Sequence, residues 1–297
     1  MLPFYLTLAH IDDLVARALD EDIGTGDVTS LATIPEPTTA EATFLAKADG
    51  VLAGLLVAEH VFAAVDADLE VHWLKQDGEQ VSAGTRFGTV AGRARSILQA
   101  ERLALNLMQR MSGIATATHH MVEATGSHPA RILDTRKTAP GLRLLDKWAV
   151  RLGGGENHRI GLYDMILIKD NHIAAVGGVR AAIEAARHYR KQTDQDLRIE
   201  IETRTLNELQ TVLDVGGVDV VLLDNMVQVT HGKVDTSLLA QAVEMVAGRF
   251  ATEASGNVTL QTVPAIAATG VDYISSGALT HSVKALDISL KVDLNPA

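Results

Sequence analysis

The sequence predicts a two-domain α/β protein whose second domain is an α/β barrel. Three observations carry this prediction. The chain has 297 residues, 47% of them hydrophobic, which is enough for one large core or two smaller ones. Residues 27–90 read mostly as short strands, with glycines at the turns between them. After residue 129, short apolar strands alternate with helical patterns, and such repeats imply a parallel sheet with right-handed crossovers.

The first part is predicted to be a β-rich region followed by one long helix. The stretch ATFLAKADGVLAG alternates loosely, and VHWLKQDGEQVSAGTRFGTVAG has short strands between turn glycines. From Arg95 onward, apolar residues recur at helical spacing as far as about Glu123. Gly113 is expected to interrupt this helix.

The second part carries six legible strands, and a seventh cannot be read from the sequence. The strands are ARILDT, DMILIKDN, LRIEIETR, DVVLLDN, RFATEASGN and DYISSGA. Helices are predicted between them, as in VRAAIEAARHYRK and TSLLAQAVEMVAG. We therefore expect an N-terminal domain over 1–113 and a barrel over 114–285. The final strand, within 286–297, is a candidate to join the first domain.

Composition excludes several classes of function. The formal net charge of -11 argues against non-specific binding of nucleic acid and against attraction to anionic membranes. The absence of cysteine removes disulfides, thiolate metal sites and cysteine nucleophiles. The N-terminal segment lacks the basic region of a secretory signal, and no apolar stretch approaches the length of a membrane span. From these features we expect a cytoplasmic protein.

Residues 131–172 form a cationic island in this acidic chain. They include eight Lys or Arg against five acidic residues, which indicates a polyanionic small-molecule ligand. Three of the cations stand at helical spacing and are expected on a solvated helix face: Arg143, Lys147 and Arg151. Four others stand at strand ends or beside glycines, where a ligand can approach: Arg136, Lys137, Arg159 and Lys169.

Glycines and small residues mark places where a ligand can approach the backbone closely. The triplet Gly153–Gly155 precedes Glu156, Asn157, His158 and Arg159, and glycine permits unusual backbone angles. The segments EASGN and SSGALTHS each follow one of the last two barrel strands. In α/β barrels the loops after the last two strands are a common phosphate site. We therefore expect a phosphate to bind there.

Two carboxylates at strand ends, Glu202 and Asp224, require a different role among so many cations. They are candidates to hold Mg²⁺ together with substrate phosphates, or to bind sugar hydroxyls. For Glu202, an ion pair with Lys169 or Arg136 is the competing interpretation. The sequence contains no HExxH pair, no GxSxG elbow, no Walker A loop and no GxGxxG after a strand, so hydrolase triads and nucleotide-binding Rossmann folds are unsupported.

One long stretch of these residues closely resembles the signature of a known family. LDTRKTAPGLRLLDKWAVRLGGGENHRIGLYDMILIKDNH resembles that of quinolinate phosphoribosyltransferases, and GTGDVTS, AKADGVLAG, ERLALNLMQRMSGIAT, IEIET, VVLLDN, EASGN and GALTHS match it in order. The resemblance runs from about residue 23 to residue 291. It implies an N-terminal α/β sandwich and a C-terminal incomplete, seven-stranded α/β barrel, type II phosphoribosyltransferase-like. It also implies transfer of phosphoribosyl to quinolinate with decarboxylation.

The resemblance also implies roles for individual residues. The carboxylates of quinolinate would be bound by Arg102, Thr135, Arg136, Lys137, His158 and Arg159. The sugar, its pyrophosphate and Mg²⁺ would be engaged by Lys169, Glu202 and Asp224. The 5′-phosphate would be held by Ser255, Gly256, Asn257, Ser276, Gly277, Ala278 and His281. The residues implied as catalytic are Lys137, Lys169, Glu202 and Asp224. Asn257 departs from the family pattern, because many members have glycine there.

In the family the counterpart of Arg102 reaches the pocket of a partner subunit, which implies a homodimer with composite active sites. Two alternatives stay open. The first is a related phosphoribosyltransferase-like enzyme that acts on another ring. The second is a carrier domain, since VHWLKQDGEQVSAGTRFGTVAG resembles half of a lipoyl or biotinyl domain. The segment AGRARSIL that follows contains no acceptor lysine, so the carrier interpretation is disfavoured.

Overall fold

A computed structural model of the chain describes residues 2–295. Its helices are α1 Leu8–Ile23, α2 Val28–Thr33, α3 Leu55–Val65, α4 Ala94–Ala124, α5 Arg143–Leu152, α6 Asp170–Val176, α7 Val179–Thr193, α8 Leu206–Val215, α9 Ser237–Val246, α10 Val263–Ala267 and α11 Ala278–His281. Its strands are β1 Thr39–Ala46, β2 Gly50–Val51, β3 Glu70–Trp73, β4 Gln80–Val81, β5 Arg86–Arg93, β6 Arg131–Leu133, β7 Ile166–Ile168, β8 Ile199–Thr203, β9 Val220–Asp224, β10 Gln228–Thr230, β11 Lys233–Asp235, β12 Ala251–Ser255, β13 Tyr273–Ser275 and β14 Ile288–Asn295. None of the described helices combines the length and apolar character that crossing a membrane requires.

The chain divides into two compact units that do not follow sequence order. Unit 1 comprises Met1–His119, Thr138–Gly154 and Thr280–Ala297, and unit 2 comprises His120–Lys137 and Gly155–Leu279. The boundaries expected from the sequence, 1–113 and 114–285, stay a prediction, because a division by compactness follows contacts and not only chain order.

Unit 1 contains an antiparallel sheet of four strands in the order β14-β1-β5-β3. Strand β14 pairs along the whole of β1, with Thr39 opposite Asn295 and Ala46 opposite Ile288. The last strand therefore belongs to the sheet of the first part of the chain, which the sequence alone left open. The expected segment 286–297 extends two residues past the described part of the chain.

The expectation of mostly β structure over 27–90 is wrong for two segments. Helix α2 begins after Asp27, whose carboxylate accepts from the backbone N–H groups of Thr29 and Ser30. Helix α3 has the sequence LLVAEHVFAAV, and five of its residues are buried. A short apolar run of this kind has no clear period, so periodicity does not separate a buried helix from a strand.

The expected interruption of the long helix at Gly113 is also wrong, because α4 runs unbroken from Ala94 to Ala124. A Cβ added at Gly113 would lie 2.2 Å from the backbone oxygen of Lys284. The glycine is therefore explained by the close approach of another backbone segment. It lets the 284–285 segment contact the helix and does not end it.

The predicted solvated face of α5 is wrong at Lys147, whose side chain is fully buried. Its neighbour Asp146 is also buried and accepts two hydrogen bonds of 2.8 Å from Arg110. Arg143 donates to Thr138 at 3.1 Å, and Arg151 is exposed. Helical spacing groups the three cations on one side of α5, but it does not show which of them the rest of the chain buries.

Unit 2 is built on a parallel sheet of six strands in the order β6-β13-β12-β9-β8-β7. These are the six strands read from the sequence, and the register of each neighbouring pair is parallel. A seventh position exists as a single residue: Glu156 forms an isolated parallel bridge with Leu133 of β6. One bridging residue has no alternation to detect, which explains why no seventh strand is legible in the sequence.

Candidate active site

The carboxyl ends of the unit 2 strands surround a cavity of about 300 Å³. It is lined by Thr135, Arg136, Lys137, His158, Arg159, Leu167, Lys169, Leu222, Glu253, Ser255 and Ser275. In parallel α/β sheets, ligands bind at this end because the loops that leave the strands converge there. Among the lining residues are the four cations that the sequence separated from the solvated set.

A buried carboxylate fixes the glycine-rich loop beside this cavity. Asp134 follows β6 and is fully buried. Its carboxylate accepts from the side-chain amide of Asn157 at 2.6 Å and from the backbone N–H of His158 at 2.9 Å. The backbone of Glu156 pairs with Ile132 of β6. Sequence reasoning missed the role of Asp134, although its place at a strand end was visible.

Two arginines bring positive charge to the same cavity. The Nε group of Arg136 is buried and has no hydrogen-bond partner within residues 2–295. Burial, and then the nearby charge of Arg136, lower the pKa of the Arg159 guanidinium. Arg159 donates to the backbone oxygen of Met165 at 3.2 Å. The two like charges repel each other. An anion placed between them would offset this repulsion and accept a hydrogen bond from the Nε group of Arg136.

His158 lies between this loop and two buried acids. Its Nδ1 lies 2.7 Å from the backbone nitrogen of Arg159. Nε2 is 3.0 Å from Glu200 Oε2 and 3.6 Å from Glu253 Oε2. Both ring nitrogens are therefore engaged by the protein. We therefore expect His158 to offer a ligand the surface of its ring.

Glu200 and Glu253 form a buried acid pair, of which Glu253 lines the cavity, and sequence reasoning gave neither a role. Burial raises the pKa of Glu200 to about 7. Burial, and then the charge of Glu200, raise the pKa of Glu253 to about 8. Two adjacent carboxylates do not both ionise readily, so the pair keeps a proton near neutral pH. With His158, the two acids form the one cluster in the described residues with the spacing of metal ligands, although a shared proton explains the arrangement without an ion.

The two strand-end carboxylates singled out in the sequence lie beside the cavity and are paired with cations. Glu202 is 6% exposed, and its Oε2 is 3.1 Å from Lys169 Nζ. The ion pair with Lys169, one of the two interpretations left open, is therefore found. Arg204 contacts the other oxygen of Glu202 and also Asp224. Arg204 ends the strand segment LRIEIETR read from the sequence, but the sequence assigned it no role, because nothing in that segment shows which acids its guanidinium meets.

The first loop expected to bind phosphate has unusual backbone angles. Gly256 has φ +91°, and a Cβ there would lie 2.3 Å from Asn225 Oδ1. Asn257 has φ +53°, which glycine and asparagine adopt more readily than other residues. Its side-chain amide donates to the backbone oxygen of Val227 at 2.8 Å. The departure from the family pattern at Asn257 therefore preserves the backbone conformation and adds one hydrogen bond.

The second such loop connects β13 to α11. The backbone N–H of Ser276 donates to Leu133 at 3.0 Å, so this group already serves the sheet. Gly277 follows it, and α11 begins at Ala278 and ends at His281. His281 lies in unit 1, is exposed, and has its Nδ1 2.7 Å from Ser282 Oγ. The remaining expected residue, Arg102, also lies in unit 1, exposed on α4.

Comparison with known proteins gives the family. A barrel-type sheet whose strand ends gather cations and carboxylates around one cavity defines an enzyme-like site for a polyanionic ligand. Residues 27–112 match the quinolinate phosphoribosyl transferase N-terminal domain, and residues 114–291 match the C-terminal domain of the same family. The chain belongs to the quinolinate phosphoribosyltransferase family.

Individual relatives agree with this assignment. The chain is 55% identical to quinolinate phosphoribosyltransferase [decarboxylating] 2b, mitochondrial, of Nicotiana tabacum, over 95% of the chain and 82% of that protein. It is 55% identical to nicotinate-nucleotide pyrophosphorylase [carboxylating], chloroplastic, of Arabidopsis thaliana, over 94% of the chain and 82% of that protein. The crystal structure of NadC from Streptococcus pyogenes superposes with a TM-score of 0.90 at 40% identity, covering 98% of this chain and 99% of that one.

These relatives also correct the expected location. The cytoplasmic expectation is wrong, because the similar plant proteins are named mitochondrial or chloroplastic. A lack of cysteine and of a secretory signal pattern fits any reducing compartment. Those two features therefore never distinguished the cytoplasm from the interior of an organelle.

The acid pair generates a prediction on stability. In the unfolded chain Glu253 releases its proton near its ordinary pKa of 4.5, whereas in the folded protein it does so near 8. The pair therefore stabilises the fold fully below about pH 4.5. As pH rises to about 8 this contribution is lost, at up to about 1.4 kcal/mol per pH unit. Glu253→Gln replaces the protonated acid with a neutral group of the same shape. We therefore expect the melting temperature of this variant, measured by thermal denaturation, to fall less steeply with pH over this range than that of the wild type.

The matched control is Glu184→Gln, since Glu184 is exposed and its single ion pair, with Arg180, is 4.0 Å long. The control should follow the wild-type profile of melting temperature against pH. A Glu253→Gln profile parallel to that of the wild type would show that this carboxyl is ionised throughout and would contradict the shared proton.

Proposed function

We propose that this protein transfers the phosphoribosyl group of phosphoribosyl pyrophosphate to quinolinate and removes one carboxylate as CO₂. The products are nicotinate mononucleotide and pyrophosphate, and the reaction serves NAD biosynthesis. The observation that carries the proposal is the convergence of Arg136, Lys137, Arg159 and Lys169 on one cavity. Two polyanions must be brought into contact for this reaction, and cations at the point of contact offset their repulsion.

Quinolinate binds through its two carboxylates. Arg136 and Arg159 supply planar forks that match carboxylate geometry, and Lys137 supplies a point charge. Thr135 lines the same cavity, and its Oγ1 accepts from the backbone N–H of Lys137 at 3.1 Å. The apolar side chains of Leu167 and Leu222 give the ring a surface to pack on. Charge and shape together favour a flat dicarboxylate over a monocarboxylate.

The ribose and its pyrophosphate lie toward Lys169, Glu202 and Asp224. Carboxylate oxygens are the ligands that Mg²⁺ prefers, usually one or two together with substrate phosphates and water. Glu202 and Asp224 fit this requirement, because they are two carboxylates at the ends of the neighbouring strands β8 and β9. Bound there, Mg²⁺ would supply positive charge to the departing pyrophosphate. The 5′-phosphate is held by the loops of Ser255 to Asn257 and Ser276 to Ala278.

The chemistry needs no further cofactor. The ring nitrogen attacks the anomeric carbon, and the bond to the pyrophosphate oxygen breaks with its electron pair leaving on that oxygen. Positive charge develops on the ribose, where Glu202 and Asp224 stabilise it, while Lys169 stabilises the leaving group. The ring nitrogen becomes cationic and accepts electron density as the adjacent carboxylate departs as CO₂. A proton then adds to the ring carbon that has lost it.

This function predicts a clear preference between substrates. Purified protein given phosphoribosyl pyrophosphate and Mg²⁺ should convert quinolinate to nicotinate mononucleotide far faster than it converts nicotinate. The reason is that a single carboxylate leaves part of the cation set without a partner. The measurement is product formation with each acid, with and without a chelator of divalent ions. Equal turnover of the two acids would favour a related enzyme acting on another ring.

We also propose that the active unit is a homodimer with composite sites. Arg102 is exposed on α4, and none of the ion pairs found within residues 2–295 includes it. In the family resemblance its counterpart reaches the pocket of a second subunit. A two-fold dimer creates two such sites, each of which draws on both chains.

A mixing experiment tests the composite site. Arg102→Ala and Lys137→Ala should each be inactive and folded. In a heterodimer of the two, one site carries both substitutions and the other carries neither. With random pairing of an equal mixture, about half of the dimers are heterodimers with one intact site of two, so we expect up to about a quarter of the wild-type activity per chain to return. Heterodimers verified by mass that stay inactive would show that Arg102 does not act in a second subunit.

A further inference from the structure

Arg204 joins three carboxylates at the edge of the proposed metal site. Its Nη1 is 3.0 Å from Asp170 Oδ2, its Nη2 is 3.0 Å from Glu202 Oε1, and its Nε is 3.2 Å from Asp224 Oδ2. Each nitrogen of the guanidinium thus contacts a different acid. The acids come from three places: the start of α6 after β7, the end of β8 and the end of β9. These three strands are neighbours in the sheet.

The charges in this group are already nearly balanced without any ion. Three carboxylates face two cations, because Lys169 Nζ is 3.1 Å from the second oxygen of Glu202. Each oxygen of Glu202 therefore has a cation as its partner. A divalent ion that approaches Glu202 or Asp224 meets positive charge at about hydrogen-bond distance, and its attraction to the acids is offset by that repulsion.

The side chain of Arg204 is free to leave while its backbone stays in place. The side chain is 50% exposed. The backbone N–H of Arg204 donates to Glu208 Oε2 at 2.8 Å, and Thr205 caps α8 through the N–H of Glu208. The start of α8 thus fixes the main chain independently of the guanidinium. Rotation of the side chain into solvent breaks three ion pairs, and Lys169 still pairs with the buried Glu202 when the guanidinium has left.

We propose that Arg204 is an internal cation that occupies the carboxylate site in the empty enzyme and competes with the metal ion. This inference rests on the proposed function, which places Mg²⁺ at Glu202 and Asp224. A free ion binds weakly because it must displace the guanidinium without compensation. When the substrate pyrophosphate arrives, Arg204 exchanges carboxylates for phosphate oxygens, which its fork matches equally well. Metal and substrate therefore enter together.

The test is binding of Mn²⁺ alone, because Mn²⁺ takes the same oxygen ligands as Mg²⁺ and its free form gives a paramagnetic resonance signal. Without substrate, Arg204→Gln should bind Mn²⁺ about tenfold more tightly than the wild type, since a competing charge is removed. The control is Arg180→Gln, which makes the same charge change at an exposed arginine with one ion pair, 4.0 Å long. The control should match the wild type.

A second substitution locates the ion. Adding Asp224→Asn to Arg204→Gln should abolish the gain in Mn²⁺ affinity. If Arg204→Gln does not fold, Arg204→Lys replaces it, because one ammonium cannot span three acids and a smaller gain is expected. Unchanged or weaker Mn²⁺ binding on loss of Arg204, or a gain that survives Asp224→Asn, would overturn the inference.

Turnover and Mn²⁺ binding, measured on the wild type and the Arg204 variants, distinguish this inference from the proposed function. If the wild-type protein turns over quinolinate without any divalent ion, the metal part of the proposed function fails. If turnover requires the ion while the Arg204 variants bind Mn²⁺ like the wild type, the proposed function stands and Arg204 is not a competing cation.

Discussion

Repulsion between like charges is the constraint on which the unit 2 site depends. Arg136 and Arg159 lie close enough that the charge of Arg136 lowers the pKa of Arg159. Cations that lie this close together must be held in position by the fold before an anionic ligand binds. The protein supplies this support with buried acids in and after the strands, each of which contacts a backbone segment, an imidazole ring or a cation.

These acids have different tasks because they have different surroundings. Asp134 accepts two strong hydrogen bonds and fixes the loop that carries His158 and Arg159. Glu200 and Glu253 lie next to each other, and burial raises the pKa of both, so the pair retains a proton. Glu202 is buried too, but Lys169 and Arg204 neutralise it. A buried carboxyl group thus fixes a loop, retains a proton or pairs with a cation according to its neighbours.

Much of the second domain was predictable from the sequence. Six strands were legible because each is a short apolar run ended by polar residues, and parallel strands are buried on both faces. Arg136, Lys137, Arg159 and Lys169 were recognisable as pocket residues from their places at those ends. Residues such as Glu200 and Glu253 were not, because inside a strand a charged residue gives no sign of which face it occupies or what it meets there.

In the first domain, several predictions from the sequence were wrong. Helix α3 fell within the region expected to be mostly strand, because its sequence is largely apolar without a clear period. Gly113 was expected to interrupt the helix, because its contact is 171 residues away in the chain, in the segment of Lys284. In each case the deciding contact is between segments far apart in sequence, where spacing within one segment carries no information.

The central claim is that the paired arginines of the cavity bind the two carboxylates of quinolinate. Titration calorimetry of quinolinate with the wild type, Arg136→Ala and Arg159→Ala tests it directly. Removing either partner of a desolvated charged contact should weaken binding by about 2–5 kcal/mol. Arg131→Ala is the control, since Arg131 is exposed and pairs with Glu156 at 3.2 Å, and its affinity should equal that of the wild type. Unchanged quinolinate affinity in both Arg136→Ala and Arg159→Ala would contradict the account.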